Sequence, residues 1–291
     1  MSIYASSGCF PTKSPHELIR LADAWGITHV ELSSGMRYAE DFLQPIQAVA
    51  HRFTFLVHNY FPPPQDPFVL NLASAQKTQL EKSKAMVKAG IDLSVAFGAP
   101  FYSVHAGFGI DLRPEDLGKP HLQAKIPADR IVPRAIACEI LCETISELAV
   151  YAEHNGIMLL LENNVVTDVN IAATPDDMLW MASPDEFIPV LDEVNNPQLG
   201  ILLDVAHLKV AAQALRLDLD DALKAYQPHT YCLHLSDNDG RRDTNQIVQK
   251  DSWFMPILRE FTKMPTVIES YNLSQNQLHQ QINLVKDVFN D

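Results

Sequence analysis

Cysteine is scarce in this 291-residue chain: Cys9, Cys138, Cys142 and Cys232 make no C-x-x-C pair and are too few to staple a fold of this length. A disulfide scaffold is excluded. Cys138 and Cys142 stand four apart in a predicted helix, where core packing is the first explanation and a metal pair the second. Long apolar runs are missing as well. None approaches the roughly 18 residues of a membrane span, and Met1-Ser-Ile-Tyr-Ala lacks the basic and apolar segments of a signal peptide. A soluble cytoplasmic protein with no membrane partner is the expectation. Positive charge is in deficit, 22 Lys and Arg against 36 Asp and Glu, for a net charge of −14. Duplex binding draws mainly on Lys and Arg meeting phosphates, so nucleic acid is a disfavoured partner. There is also no G-x-x-x-x-G-K-[ST] and no glycine-rich strand–helix turn to cradle a phosphate.

What is present is an ordinary globular composition, 47% hydrophobic and 20% charged, enough for a large core. Short apolar runs alternate with helical patterns along the whole chain. Strands are predicted at Ile3 to Ser6, Ile27 to Glu31, Phe53 to His58, Phe101 to His105, Ile157 to Glu162, Gly200 to Asp204, Thr230 to His234 and Thr266 to Glu269. Between them, Ser14-Pro15-His16-Glu17 reads as a capped helix start, with Leu18, Ile19, Ala22 and Trp25 as the apolar face and Gly26 as the stop. Further helices are expected over about 41–50, 74–97, 131–155 and 276–289, and Thr174-Pro-Asp-Asp reads as another start.

Eight strand–helix units predict parallel crossovers and a (β/α)₈ TIM barrel. With no Gly/Ser linker or charge-run boundary, residues 1–291 read as a single domain. A doubly wound open sheet is the competitor, but it gathers its ligand groups at one switch-point crevice. Here Glu31, His58, His105, Glu162, Asp204, His234 and Glu269 close seven of the eight predicted strands. In a barrel those ends converge on one cavity. Any one of them has a bland explanation as a polar strand end. Seven together would cost free energy through repulsion and desolvation unless a cation neutralised them, so a divalent metal is expected.

Glu162, Asp204, His234 and Glu269, each closing its own strand in that order, resemble the metal ligands of the xylose-isomerase-like barrel superfamily. That superfamily spans sugar epimerases of the tagatose/psicose 3-epimerase type, sugar-phosphate isomerases and epimerases, inosose dehydratases and endonuclease IV. The segments Leu-Leu-Asp-Val-Ala-His, Leu-His-Leu-Ser-Asp-Asn-Asp-Gly and Val-Ile-Glu-Ser carry the resemblance most specifically. It implies that Glu162 and Glu269 bind metal and exchange protons with a carbohydrate substrate, and that His207 contacts a substrate oxygen. Arg241 or Arg242 takes the place of a substrate-binding arginine, and His58 and His105 match positions that hold an additional zinc in endonuclease IV. Where that nuclease has Asp-x-His after strand seven, this chain has Asp243-Thr-Asn245, and asparagine is a poor substitute for a zinc-binding imidazole.

Three carboxylates and one imidazole make an oxygen-rich set that suits Mn²⁺ first, with Mg²⁺, Zn²⁺ and Co²⁺ as alternatives; ligation by His58 and His105 would favour Zn²⁺. The leading expectation is a metal-dependent sugar or sugar-phosphate isomerase or epimerase working through an enediolate. Its rivals are an endonuclease IV-like phosphodiesterase, an inosose dehydratase-like lyase and a non-catalytic metal-binding barrel. Proline-stiffened and long loops follow His58 and His105, and Tyr60, Phe61 and Phe108 are the expected pocket walls, with loop packing as the competing role. Lys13, Arg37, Arg241 and Arg242 are candidate anion contacts, each with solvated surface as its alternative. A homo-oligomer is left open.

Overall fold

Alternation along the strands decides how this chain folds. In the computed structural model, which describes residues 2–116, 127–173, 179–261 and 263–290, the strands are β1 (Ile3–Ser6), β2 (His29–Leu32), β3 (Thr54–His58), β4 (Phe101–His105), β5 (Met158–Glu162), β6 (Leu199–Asp204), β7 (Thr230–Leu235) and β8 (Thr266–Ile268). They form a closed parallel barrel in chain order. Ile3, Tyr4 and Ala5 of β1 stand opposite Thr266, Val267 and Ile268 and seal it. The open-sheet alternative is excluded.

Successive side chains of a strand point to opposite faces. One set, including Val57, Tyr102, Leu161, Leu203 and Ile268, belongs to the main core shared with the helices. The other set, Tyr4, Leu56, Phe101, Leu160, Leu202, Cys232 and Val267, packs as a separate buried cluster inside the barrel. Strands buried on both faces read as nearly unbroken apolar runs, as Met158-Leu-Leu-Leu does.

The helices on the outer face are α1 (Pro15–Ala24), α2 (Gln44–Val49), α3 (Lys77–Ala96), α4 (Arg134–His154), α5 (Asp168–Ala173), α6 (Pro184–Val194), α7 (Val205–Leu215), α8 (Leu219–Tyr226) and α9 (Gln275–Asn290). Contact with the sheet is close. At Gly90 of α3 a Cβ atom would stand 2.2 Å from the Tyr102 ring of β4, so only glycine fits there. Gly26, at φ +70°, ends α1 as its position predicted.

One helix start differs from expectation. Ser14 makes no side-chain cap bond, and Glu17 pairs with Arg20 one turn on, at 2.6 Å, instead of reaching back. The start expected at Thr174 lies outside the described residues. Downstream, α6 opens after Ser183, where the Glu186 carboxylate accepts from the backbone N–H groups of Ser183 (3.2 Å) and Ala182 (3.0 Å). Among the described residues no helix is long and apolar enough to cross a membrane.

Candidate active site

The strand period that fills the barrel with apolar side chains also builds the site above them. Two residues beyond Leu56, Leu160, Leu202, Cys232 and Val267 come His58, Glu162, Asp204, His234 and Glu269. The same interior face therefore changes from hydrocarbon to carboxylate and imidazole within one step of the pleat. Ligand-competent atoms of Glu162, Asp204, His234 and Glu269 all lie within 4.8 Å of one another; His58, His105 and Glu162 form a second such group, and Glu31, His58 and His234 a third. Except for His105, whose side chain is 34% exposed, all of these residues are buried.

Glu162 is the hub. Its Oε2 lies 3.1 Å from His58 Nε2 and 3.2 Å from His105 Nδ1, while Oε1 lies 3.5 Å from His207 Nδ1 and 3.6 Å from His234 Nδ1. His234 spans two carboxylates, with Nε2 2.8 Å from Glu31 Oε2 and Nδ1 3.1 Å from Glu269 Oε2. Asp204 Oδ1 accepts the N–H groups of Ala206 and His207, both at 2.7 Å, and so caps α7. That engages one oxygen of Asp204 and leaves Oδ2 toward the cavity. Asn163, next to Glu162, clamps β5 to β6 by accepting from Asp204 N–H (2.8 Å) and donating to Asp204 C=O (3.0 Å).

Burial and charge compete at every titratable group here. Burial would raise Glu162, but His105 and His58 hold it well below the usual carboxylate range. Burial likewise acts upward on Glu269, and His234 outweighs it. Asp204 goes well up, driven first by burial and then by the neighbouring carboxylates Glu269 and Glu162, against the pull of His207. His207 and His234 are both raised far above an ordinary imidazole: burial opposes this, but Asp204 and Asp243 prevail for the first and Glu31 and Glu269 for the second. His105 goes the other way, to about 4, because burial exceeds the attraction of Glu162.

A divalent cation fits this arrangement. Glu31 Oε1 and Asp204 Oδ2 are buried without a hydrogen-bond partner, and orphaned buried carboxylate oxygens are costly. Glu162, Asp204, His234 and Glu269 would hold the ion, a set of three carboxylates and one imidazole that suits hard or borderline metals. Glu31 would orient His234 from behind, leaving Nδ1 for the ligand side.

The other candidate residues divide. His207, one helical turn past Asp204, faces Glu162 and also lies 3.3 Å from Asp243 Oδ2. Asp243 belongs to the site's electrostatics as well, although by spacing alone it stood out only within the Asp243-Thr-Asn245 departure. Arg241 and Arg242 are exposed; their backbone N–H groups donate to Asp239 Oδ1 at 2.9 and 3.1 Å, and neither guanidinium is within ion-pair distance of a site carboxylate. Phe61 is wholly buried against Phe42 in the main core, with no surface left for a ligand, so its expected place in the pocket wall is corrected to packing. Tyr60 accepts the Phe68 N–H at 2.8 Å and meets the Phe68 ring, which makes it a brace within its own loop. Phe108 packs on Val69, Ile110 and Leu112, a small apolar cluster under the two loops.

Residues 19–268 match the family model described as Xylose isomerase-like TIM barrel. The chain belongs to that family. Among its curated relatives is the fructoselysine 3-epimerase of Shigella flexneri, 24% identical over 208 residues, covering 70% of this chain and 62% of the relative. The chain thus spans less than two thirds of that protein's length. Similar solved xylose isomerase-like barrels include a D-tagatose 3-epimerase-like protein, at TM-score 0.74 and 17% identity over 100% of this chain and 97% of the other. Another, from Mycobacterium smegmatis and in complex with magnesium, has TM-score 0.63 and 17% identity over 94% of this chain and 87% of the other. At such identities these likenesses establish the fold alone.

Proposed function

We propose that the protein is a divalent-metal-dependent sugar or sugar-phosphate epimerase or isomerase. The observation that carries this is the buried convergence of Glu162, Asp204, His234 and Glu269 at one end of the barrel. Epimerase names among its relatives and the magnesium in one structural neighbour agree with it. Mn²⁺ is the favoured ion, with Mg²⁺, Zn²⁺ and Co²⁺ as alternatives. When bound, the metal supplies charge neutralisation and Lewis-acid polarisation of the substrate carbonyl.

The chain's own residues supply the proton chemistry. Glu162 and Glu269 stand at the ends of β5 and β8, separated around the barrel by β6 and β7. One glutamate, ionised, takes the proton from the carbon beside the carbonyl and leaves an enediolate; the other, also ionised in the free protein, first takes up a proton through the barrel mouth and then delivers it to the opposite face. Return by the same glutamate to the neighbouring carbon would give isomerisation instead. His207, held by the Asn163 carbonyl at 2.9 Å, is placed to bond a substrate oxygen. The dry floor of Leu56, Leu160, Leu202 and Val267 excludes water from beneath.

The test is turnover of ketoses in deuterium oxide with added Mn²⁺, followed by NMR at the carbons flanking the carbonyl. Deuterium is expected at the epimerised or isomerised carbon. Glu162→Gln and Glu269→Gln should each abolish turnover while preserving the fold; full activity in either variant refutes the assignment, and turnover without exchange refutes the enediolate.

A further inference from the structure

Above β1, β2 and β8 the barrel mouth opens into a cavity of about 800 Å³, within the range of small-molecule sites. Its walls follow the ends of β1, β2 and β8, the last two of which also carry Glu31 and Glu269. Ser7 and Tyr271 line it; Ser7 Oγ lies 2.9 Å from Ser33 Oγ, two residues beyond Glu31, and Tyr271 lies two beyond Glu269.

The cavity's charge is opposite to that of the protein. In a chain with 36 acidic and 22 basic residues, the charged side chains on its walls are, among the described residues, Lys13 and Arg37 alone. The Arg37 N–H donates to the Lys13 carbonyl at 2.8 Å, so the loops after β1 and β2 are tied together where the two cations stand. Neither cation has a carboxylate partner among the described residues; Glu17 pairs with Arg20 at 2.6 Å and Asp41 with His16 at 2.9 Å. Two unpaired cations in a concave, acid-free wall beside a strongly acidic site attract an anion and separate it from the carboxylates.

We propose that the substrate is a ketose carrying an anionic group at the end remote from the reacting carbon, and that Lys13 and Arg37 receive that group in this cavity. This rests on the sugar epimerase or isomerase reading for the reacting end, and it adds the substrate class. A phosphate ester and a carboxylate share the required chemistry. Arg37 offers the planar fork that pairs with either, and Lys13 a point charge.

The experiment uses calorimetry on the full chain after EDTA treatment, so that no metal competes for the anion, with inorganic phosphate as the first probe. Wild-type protein should bind it, and the exposed double substitution Lys13→Ala/Arg37→Ala should weaken binding by about tenfold or more. Arg37→Lys, which keeps the charge, should retain most of it. D-Fructose 6-phosphate, D-fructuronate and D-fructose are then compared on the Mn²⁺-loaded protein. Preference for the phosphate or for the uronate, lost in the double variant, identifies the source of the anion. No phosphate binding, or binding that the double substitution leaves unchanged, overturns the proposal. Turnover of neutral ketoses without any anion preference would overturn this subsite and leave the epimerase or isomerase reading standing; anion binding without ketose turnover would do the reverse.

Discussion

Replacing Glu31 by glutamine separates the ligand set from the residue that positions it. Glu31 and His234 are both fully buried, and the His234 Nε2–Glu31 Oε2 bond is 2.8 Å long. The carboxylate accepts from Nε2–H and thereby keeps Nδ1, 3.1 Å from Glu269 Oε2, on the side where a cation would bind. Glutamine preserves the shape but can present either its oxygen or its NH₂ to the ring, so the tautomer is no longer dictated. Loss of one negative charge also reduces the pull on a cation, which acts in the same direction. Substitutions of this kind cost about 10–100-fold in metal affinity, equivalent to about 1.4–2.7 kcal/mol. Isothermal titration of Mn²⁺ into metal-free wild type and Glu31→Gln measures the difference. The metal-free variant should melt somewhat lower than wild type while keeping a cooperative transition, because Glu31 is the leading carboxylate that holds His234 charged. An unchanged Mn²⁺ affinity would refute the positioning role, and a large fall in the metal-free melting temperature would show that Glu31 is needed for folding.

Stability should respond to pH with opposite signs in the metal-free and loaded protein. Asp204, His207 and His234 all have raised values in the folded state. Without metal, the two histidines add stability that is complete below their unfolded value of about 6.5 and lost as pH rises through their folded values. Glu162 and Glu269 are lowered and stay ionised in that window, and His105, at about 4, is neutral there. Metal-free protein should therefore melt at lower temperature as pH goes from about 6.5 to 8, whereas saturating Mn²⁺ should reverse the trend, since ligation requires deprotonated donors. Parallel melting curves with EDTA and with Mn²⁺ check this, and slopes of the same sign would contradict it. Phe61→Ala should cost about 3–5 kcal/mol in urea unfolding through loss of a buried ring and leave Mn²⁺ affinity intact; a change confined to substrate affinity would return Phe61 to the pocket wall.

The barrel and its charged rim were readable because both follow from a period of two. Five strands, β3 and β5 to β8, carry an apolar residue two positions before their acid or histidine, as Leu202 precedes Asp204 and Val267 precedes Glu269, so one pattern specifies packing and convergence together. Loops obey no such period. Phe61 turned inward to the Phe42 ring, Tyr60 braced Phe68, and Arg241 and Arg242 stayed in solvent, outcomes fixed by tertiary packing that no local spacing encodes. The partnership of Glu31 with His234 joins residues 203 positions apart. Sequence marks both as strand-end residues without saying that they face each other across the barrel. Asp243 had a signal in its position after strand seven, but its approach to His207 depends on the loop's path.

The apolar layer of Leu56, Leu160, Leu202, Cys232 and Val267 has a consequence for isotope bookkeeping. It stoppers the barrel directly below Glu162 and Glu269, so a proton resting on either carboxyl reaches bulk water only through the mouth. With an anionic substrate filling that mouth, washout becomes slow relative to return, and in isomerisation, where one glutamate serves both carbons, some hydrogen removed from one carbon should reappear in product rather than in solvent. The degree of label retention would then report how tightly the far end of the sugar corks the barrel.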